Sequence, residues 1–86
     1  MPEISRFFGI IIAMFFDDHN PPHFHARYGS YSVAIRIEDF AIVEGYLPPK
    51  ALGLVMEWAD IHKEALLSDW ELAKEKRPLF PIEPLK

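Results

Sequence analysis

A short histidine-rich segment, from Asp17 to Arg27, carries the clearest chemical potential of this sequence. It reads Asp-Asp-His-Asn-Pro-Pro-His-Phe-His-Ala-Arg. Imidazoles and carboxylates bind divalent metal ions. Imidazoles also titrate near neutral pH, so they serve as general acids and general bases. The segment therefore predicts either a metal site or acid–base chemistry.

A metal site would be built on two histidines of one strand. His23 and His25 are two residues apart, so on a strand their side chains point to the same side, with Cβ atoms roughly 6 to 7 Å apart. His19, Asp17 or Asp18 would complete three protein ligands and leave a position open for water. A divalent metal held by His19, His23, His25 and Asp17 is thus the alternative to a site without a cofactor.

Arginines near the same histidines favour chemistry without a metal. Arg27 and Arg36 are expected to flank the two strand histidines, and fixed cations disfavour a divalent ion. Two imidazoles can serve as base and acid on a ribose phosphodiester, while guanidiniums stabilise the charged transition state. We therefore hypothesise a cofactor-free, RNA-cleaving catalytic site, formed by His23, His25, Arg27 and Arg36.

A structural role is the remaining interpretation of these residues. In that case His19 caps a turn with Asn20, and the arginines pair with Glu38 or Glu44. The two strand histidines then lie on a solvated or partner-covered face. Because that face is polar, replacing both histidines by alanine should leave the fold intact.

A β-hairpin would position the candidate residues. His23 to Tyr28 and Tyr31 to Glu38 are separated by Gly29-Ser30, and a two-residue loop that begins with glycine is typical of a type II′ turn. Tyr28 then pairs with Tyr31. This register separates the side chains into an apolar face of Phe24, Ala26, Val33 and Ile35 and a polar face of His23, His25, Arg27 and Arg36.

The remaining sequence predicts an α+β fold. The apolar run Phe7 to Phe16 is interpreted as one buried strand, and another strand is expected near Ala41 to Leu47, which gives an N-terminal antiparallel sheet of about four strands. Pro48-Pro49 is suited to the first turn of a helix. One long helix or two consecutive helices, with a break at the capping pattern that begins at Ser68, would follow. The proline-rich tail, Leu79 to Lys86, should be extended, packing on its own domain or on another chain.

Composition limits the class of protein. The 86 residues form a single domain, 1–86, with no cysteine and a net charge of -4. The lack of thiols excludes disulfides and fits the cytoplasm, and the acidic charge argues against broad nucleic-acid binding. No apolar run reaches the length of about 20 residues that spans a membrane. Since one helical layer covers one sheet face, we expect a protein partner or a homodimer on the other.

The sequence also resembles a known bacterial family. The residues that carry the resemblance are Ile4 to Ile10, Asp17 to Gly29, Glu44-Gly45, Leu47 to Pro49, Glu57 to Ala59, Trp70 to Leu72 and Ile82 to Leu85. They are similar to the family called domain of unknown function DUF4160. Its signature is matched here by His19, Pro21, Pro22, His23, His25 and Tyr28. Phe40-Ala41 stands where a turn with glycine is more usual, so the register of the second hairpin is left open.

The resemblance implies partners rather than an activity. Members of the family are often encoded beside another small domain of unknown function, DUF2442, in pairs that look like toxin and antitoxin modules. No catalytic role comes with the resemblance. We therefore expect an uncharacterised cytoplasmic component of a toxin–antitoxin-like pair, with RNA as a candidate substrate. The alternatives are a non-enzymatic partner-binding or regulatory module and a metal-binding domain.

Overall fold

A computed structural model describes residues 2–16 and 18–86, and in it five strands precede two helices. The elements are β1 (Glu3–Phe7), β2 (Ile10–Ala13), β3 (His23–Tyr28), β4 (Tyr31–Arg36), β5 (Ile42–Tyr46), α1 (Pro49–Ile61) and α2 (Lys63–Lys74). Each strand pairs antiparallel with the next one along the chain, in one sheet ordered β1-β2-β3-β4-β5. The α+β class is confirmed, with one strand more than expected.

The apolar run from Phe7 to Phe16 contains a turn, so its interpretation as one strand is wrong. β1 ends at Phe7, β2 begins at Ile10, and these two residues pair with each other. Phe8 and Gly9 between them have φ values of 49° and 81°. Positive φ at both central residues is the geometry of a type I′ hairpin turn. The turn was not predicted, because its first central residue is an aromatic one within a continuous hydrophobic sequence.

The central hairpin has the predicted register. β3 pairs with β4 from Tyr28 opposite Tyr31 to His23 opposite Arg36. Gly29 adopts a φ of 59°, as the first residue of a type II′ turn requires. β4 ends at Arg36 rather than at Glu38. The alternation of side chains along this hairpin therefore sets which residues face the core and which face the opposite side of the sheet.

The second hairpin departs from regular pairing at two places. Phe40 has a φ of 60°, so a phenylalanine occupies the left-handed conformation that glycine usually provides. The register also shifts between Ala34 and Ile35, which makes β5 irregular and places Glu44 opposite Ala34. Gly45 has a φ of 85°, and a Cβ atom there would overlap the carbonyl oxygen of Ser32. β5 therefore approaches β4 closely only because residue 45 is glycine.

The core lies between one face of β1 to β4 and the two helices. The largest fully buried side chains in it include Trp58 from α1, Trp70 from α2 and Phe24 from β3. The helices break at His62, which ends α1 and precedes α2, and not at Ser68. Neither helix in the described part of the chain is long and apolar enough to cross a membrane. Among residues 2–16 and 18–86, no helix covers the opposite face of the sheet.

The C-terminal tail packs on its own domain. The Ile82 backbone N–H donates to the carbonyl oxygen of Ile4 at 2.7 Å, and Trp58 Nε1 donates to the carbonyl oxygen of Glu83 at 2.8 Å. The Phe80 N–H donates to Oδ1 of Asp69 at 3.0 Å. The tail therefore extends the core contacts of β1 and both helices.

Substitution of Gly45 by alanine should destabilise the fold, because it combines positive φ with overlap against backbone that cannot rotate away. We expect a loss of about 1–3 kcal/mol in the free energy of unfolding. Gly53 in α1 is the matched control, since a Cβ there meets no atom within 4 Å and alanine should stabilise the helix by up to ~1 kcal/mol. Urea unfolding of both variants measures this, and equal effects would contradict the role assigned to Gly45.

Asp69 should make stability fall as pH rises. Burial raises the pKa of Asp69, and the Phe80 N–H only partly opposes this. The folded state therefore favours the protonated acid, and stability is lost from the ordinary aspartate pKa of about 3.9 up to the raised folded pKa. Asp69→Asn keeps the acceptor for Phe80 without the charge. The free energy of unfolding of this variant, relative to that of the natural protein, should increase between pH 4 and 7. A difference that does not change with pH would refute this.

Candidate functional site

The segment that joins β2 to β3 folds back over the start of β3. The Ile37 N–H donates to the carbonyl oxygen of Pro22 at 3.0 Å, which fixes the second proline beside the end of β4. The returning segment brings Asp18 against the first residues of β3. Asp18 Oδ2 lies 2.9 Å from Nε2 of His23 and 3.4 Å from Nε2 of His25. Three candidate ligand atoms therefore converge at one end of the sheet.

His23 is held by contacts on both ring nitrogens. Its Nδ1 lies 2.8 Å from the carbonyl oxygen of Pro21. A carbonyl oxygen only accepts, so this contact places a proton on Nδ1. Nε2 is then the nitrogen directed at Asp18. The ring also packs against Trp70, with centroids 5.3 Å apart, and the residue is only 5% exposed.

Asp18 carries its negative charge in a fixed orientation. Burial would raise the pKa of this carboxyl, but the His19 backbone N–H, the His25 side chain and the charges of His23 and His19 together lower it below its usual value. Oδ1 accepts from the His19 N–H at 2.9 Å and lies 3.1 Å from His19 Nδ1. His19 therefore engages one oxygen of the carboxylate and leaves Oδ2 for the two strand histidines.

The surroundings of His25 favour its uncharged form. Burial lowers the pKa of its imidazole, although the hydrogen bond to Asp18 and the charge of Glu44 oppose the effect. Its ring packs on Phe15 with centroids 4.1 Å apart. A lowered pKa keeps His25 uncharged near neutral pH, and only the neutral ring can bind a metal.

The spacing of the three groups fits metal coordination. At metal–ligand distances of about 2.0–2.2 Å, neighbouring ligand atoms lie roughly 2.8–3.1 Å apart at octahedral angles and roughly 3.3–3.6 Å apart at tetrahedral angles. The distances from Asp18 Oδ2 to His23 and to His25, 2.9 and 3.4 Å, fall within these two ranges, and the ligand atoms of the three residues all lie within 4.8 Å of one another. A cleft of about 220 Å³ opens beside them, with Phe15, His19, Val43 and Glu44 among its walls.

The two predicted arginines have different surroundings. Arg36 makes two hydrogen bonds of 2.8 Å to the Asp39 carboxylate, and this contact lowers the pKa of Asp39 to about 2. Its partner is thus neither Glu38 nor Glu44. Arg27 is exposed and lines a second cavity with His25. The structure therefore unites the histidines with Asp18, while the charge of Arg36 is neutralised beside them.

His19 and Glu44 lie beside the cluster. Asp17 lies outside the described residues. His19 contacts Asp18 through a side chain that is 88% exposed, so it borders the cluster rather than completing it. Glu44 was considered only as a partner for an arginine, yet it lines the cleft. The position of Glu44 was not predicted, because it depends on the irregular β4–β5 pairing, and no sequence signal indicates a β-bulge there.

The assignment of His23 to an open polar face is wrong. The register is as predicted, but the segment with Asp18 and Pro21 covers this end of the face and buries the ring. Because His23 is buried, we expect the double alanine change to destabilise the fold.

Three alanine variants should lose stability in the order in which their histidines are buried. His23→Ala removes a buried ring and leaves the Pro21 carbonyl without its donor, so we expect a loss of roughly 2–4 kcal/mol in unfolding free energy. His25→Ala should cost less, because the ring is only half-buried. His19→Ala should stay within about 0.5 kcal/mol. Urea unfolding without metal measures the series, and a His23→Ala protein as stable as His19→Ala would contradict the buried, hydrogen-bonded ring.

Comparison with known proteins gives one match. The family described as Domain of unknown function (DUF4160) matches residues 9–71, a span that includes all the cluster residues. No curated protein and no solved structure matches the chain.

Proposed function

This chain belongs to the DUF4160 family, whose description names no activity, and we propose from its geometry that it binds one divalent transition-metal ion through Asp18, His23 and His25. The hydrogen bonding of His23 carries the proposal. Because Nδ1 is directed at the Pro21 carbonyl, Nε2 is the nitrogen that points at a carboxylate oxygen 2.9 Å away. A metal ion bound by Nε2 and this oxygen would have His25 as a third ligand.

The ligand set narrows the choice of metal. Two imidazoles and one carboxylate suit zinc, iron, cobalt or manganese better than calcium or magnesium, which prefer oxygen. Three protein ligands beside an open cleft are typical of sites that bind water or substrate, whereas structural zinc sites have four protein ligands. We therefore infer a reactive centre rather than a structural one.

The local charges support a cation. The sequence argued against a metal because two arginines were expected beside the histidines. Asp39 neutralises Arg36, and Arg27 lines the neighbouring cavity rather than the cleft at the ligands. Asp18 and Glu44 both line that cleft with carboxylates. Histidine ligands in metal sites also commonly donate the other ring N–H to a backbone carbonyl, as His23 does to Pro21.

The same contacts favour metal binding over metal-free RNA cleavage. Both ring nitrogens of His23 are engaged, and its side chain is only 6% exposed, so it is poorly placed to exchange protons with a substrate. RNA cleavage, a place in a toxin–antitoxin-like pair, a partner chain and a cytoplasmic location remain proposals. They rest on the family resemblance and on composition.

Calorimetric titration of protein without a histidine tag, with Zn²⁺, Co²⁺ and Mn²⁺, tests the metal site. We expect one ion per chain for at least one of these metals. Asp18→Asn and His25→Ala should each weaken binding by at least about 100-fold, since loss of an outer hydrogen-bonding partner alone costs about 10- to 100-fold. Saturation at 100 times the dissociation constant should stabilise the fold by about 2.7 kcal/mol.

His62→Gln is the matched control, because His62 lies at the helix break and is absent from the cluster. It should bind metal like the natural protein. If none of the three metals binds at one ion per chain, or if His25→Ala leaves binding unchanged, the proposal fails. His23 and Asp18 would then form a structural imidazolium–carboxylate pair.

A further inference from the structure

The face of the sheet without helical cover forms a groove beside the metal ligands. Its floor consists of short side chains that flank the middle of β3: Ala13 opposite His25 on β2, and Ala34 and Ser32 on β4. Longer side chains surround this floor. Ile11 lies opposite Arg27, and Glu44 lies opposite Ala34 on β5.

The groove joins two cavities. One, of about 310 Å³, is lined by Ile11, Phe15, Arg27 and other residues. The second is the cleft of about 220 Å³ at the metal ligands. Phe15, His25 and Glu44 line both. A molecule in the first cavity therefore lies beside the metal cluster, in contact with the His25 side of it.

Arg27 differs from the other arginines on this face of the sheet. Arg6 is bonded to both oxygens of Glu3, and Arg36 to both oxygens of Asp39. Within residues 2–16 and 18–86, no carboxylate lies within 4.0 Å of Arg27. The charge of Glu3 acts on Arg27 at longer range, but that carboxylate is bonded to Arg6, so the Arg27 guanidinium is available to a ligand.

We propose that this groove binds a small organic anion, a carboxylate or a phosphate monoester, with the anionic group on Arg27 and the apolar body on Ile11 and Phe15. The inference rests on the proposed function, because the far end of such a ligand would reach the open coordination positions. Arg27 and His25 are two residues apart on β3, which separates their Cβ atoms by about 6–7 Å. One ring-sized molecule bridges that distance.

A small anion fits the groove better than a nucleic acid. Polyanions bind where several cations neutralise successive phosphates, and this face offers one available guanidinium next to the carboxylates of Asp18 and Glu44. A guanidinium binds a single carboxylate or phosphate through two parallel hydrogen bonds. The apolar wall adds contact area that an inorganic ion would not use.

The test is a titration of zinc-loaded protein with phenylphosphate and benzoate, using benzamide as the neutral analogue of benzoate. At least one of the two anions should bind at least tenfold more tightly than benzamide, and whichever binds more tightly identifies the preferred group. Arg27→Gln should weaken anion binding by at least tenfold without changing zinc affinity. Arg36→Gln, the matched control on the same face, should leave anion binding unchanged.

Several outcomes would overturn the inference. They are equal binding of benzamide and the anions, equal losses in the two arginine variants, and no binding of either anion at millimolar concentration to zinc-saturated protein. None of these outcomes contradicts the metal site, because zinc affinity is measured separately on the same samples. A protein that fails to bind zinc, cobalt or manganese instead removes the proposed function, and the inference with it.

Discussion

The contact of the Asp18 carboxylate with the rings of His23 and His25 is the interaction on which the candidate site depends. It closes the segment between β2 and β3 over the start of β3, and it brings together groups that are up to seven residues apart in sequence. The Pro21 carbonyl determines which nitrogen of His23 faces the carboxylate. Without this closure, the two histidines would be ordinary side chains on an exposed strand face.

One face of the sheet stabilises the fold, and the other face carries the candidate functional residues. One face carries the aromatic and aliphatic side chains that pack against α1, α2 and the C-terminal tail. The other combines short side chains with histidine, glutamate and a guanidinium, so it forms a groove rather than a second core. Because the alternation along β3 is strict, His25 lies on the open face while its neighbour Phe24 is fully buried. A one-residue slip of β3 would destroy the core and the site together.

The sequence predicted the central hairpin well because two independent signals agreed there. A turn beginning with Gly29 and the alternation of apolar and polar residues specify the same register. The first hairpin was missed because Phe8 occupies a turn position with positive φ, where side-chain chemistry gives no warning. Similarly, sequence spacing indicated that His19, Asp17 or Asp18 could join the two strand histidines, without indicating which of them does. The position of Asp18 against the histidines depends on how a proline-rich segment folds back, which is a tertiary effect.

Anomalous X-ray scattering from crystals grown with Co²⁺ or Zn²⁺ tests the proposed metal site, because it locates the ion without relying on affinity. We expect a peak at about 2.0–2.2 Å from Nε2 of His23, Nε2 of His25 and an oxygen of Asp18, with Nδ1 of His23 still directed at the Pro21 carbonyl. A density map with no peak there, or with metal only at exposed groups such as His19, would contradict it.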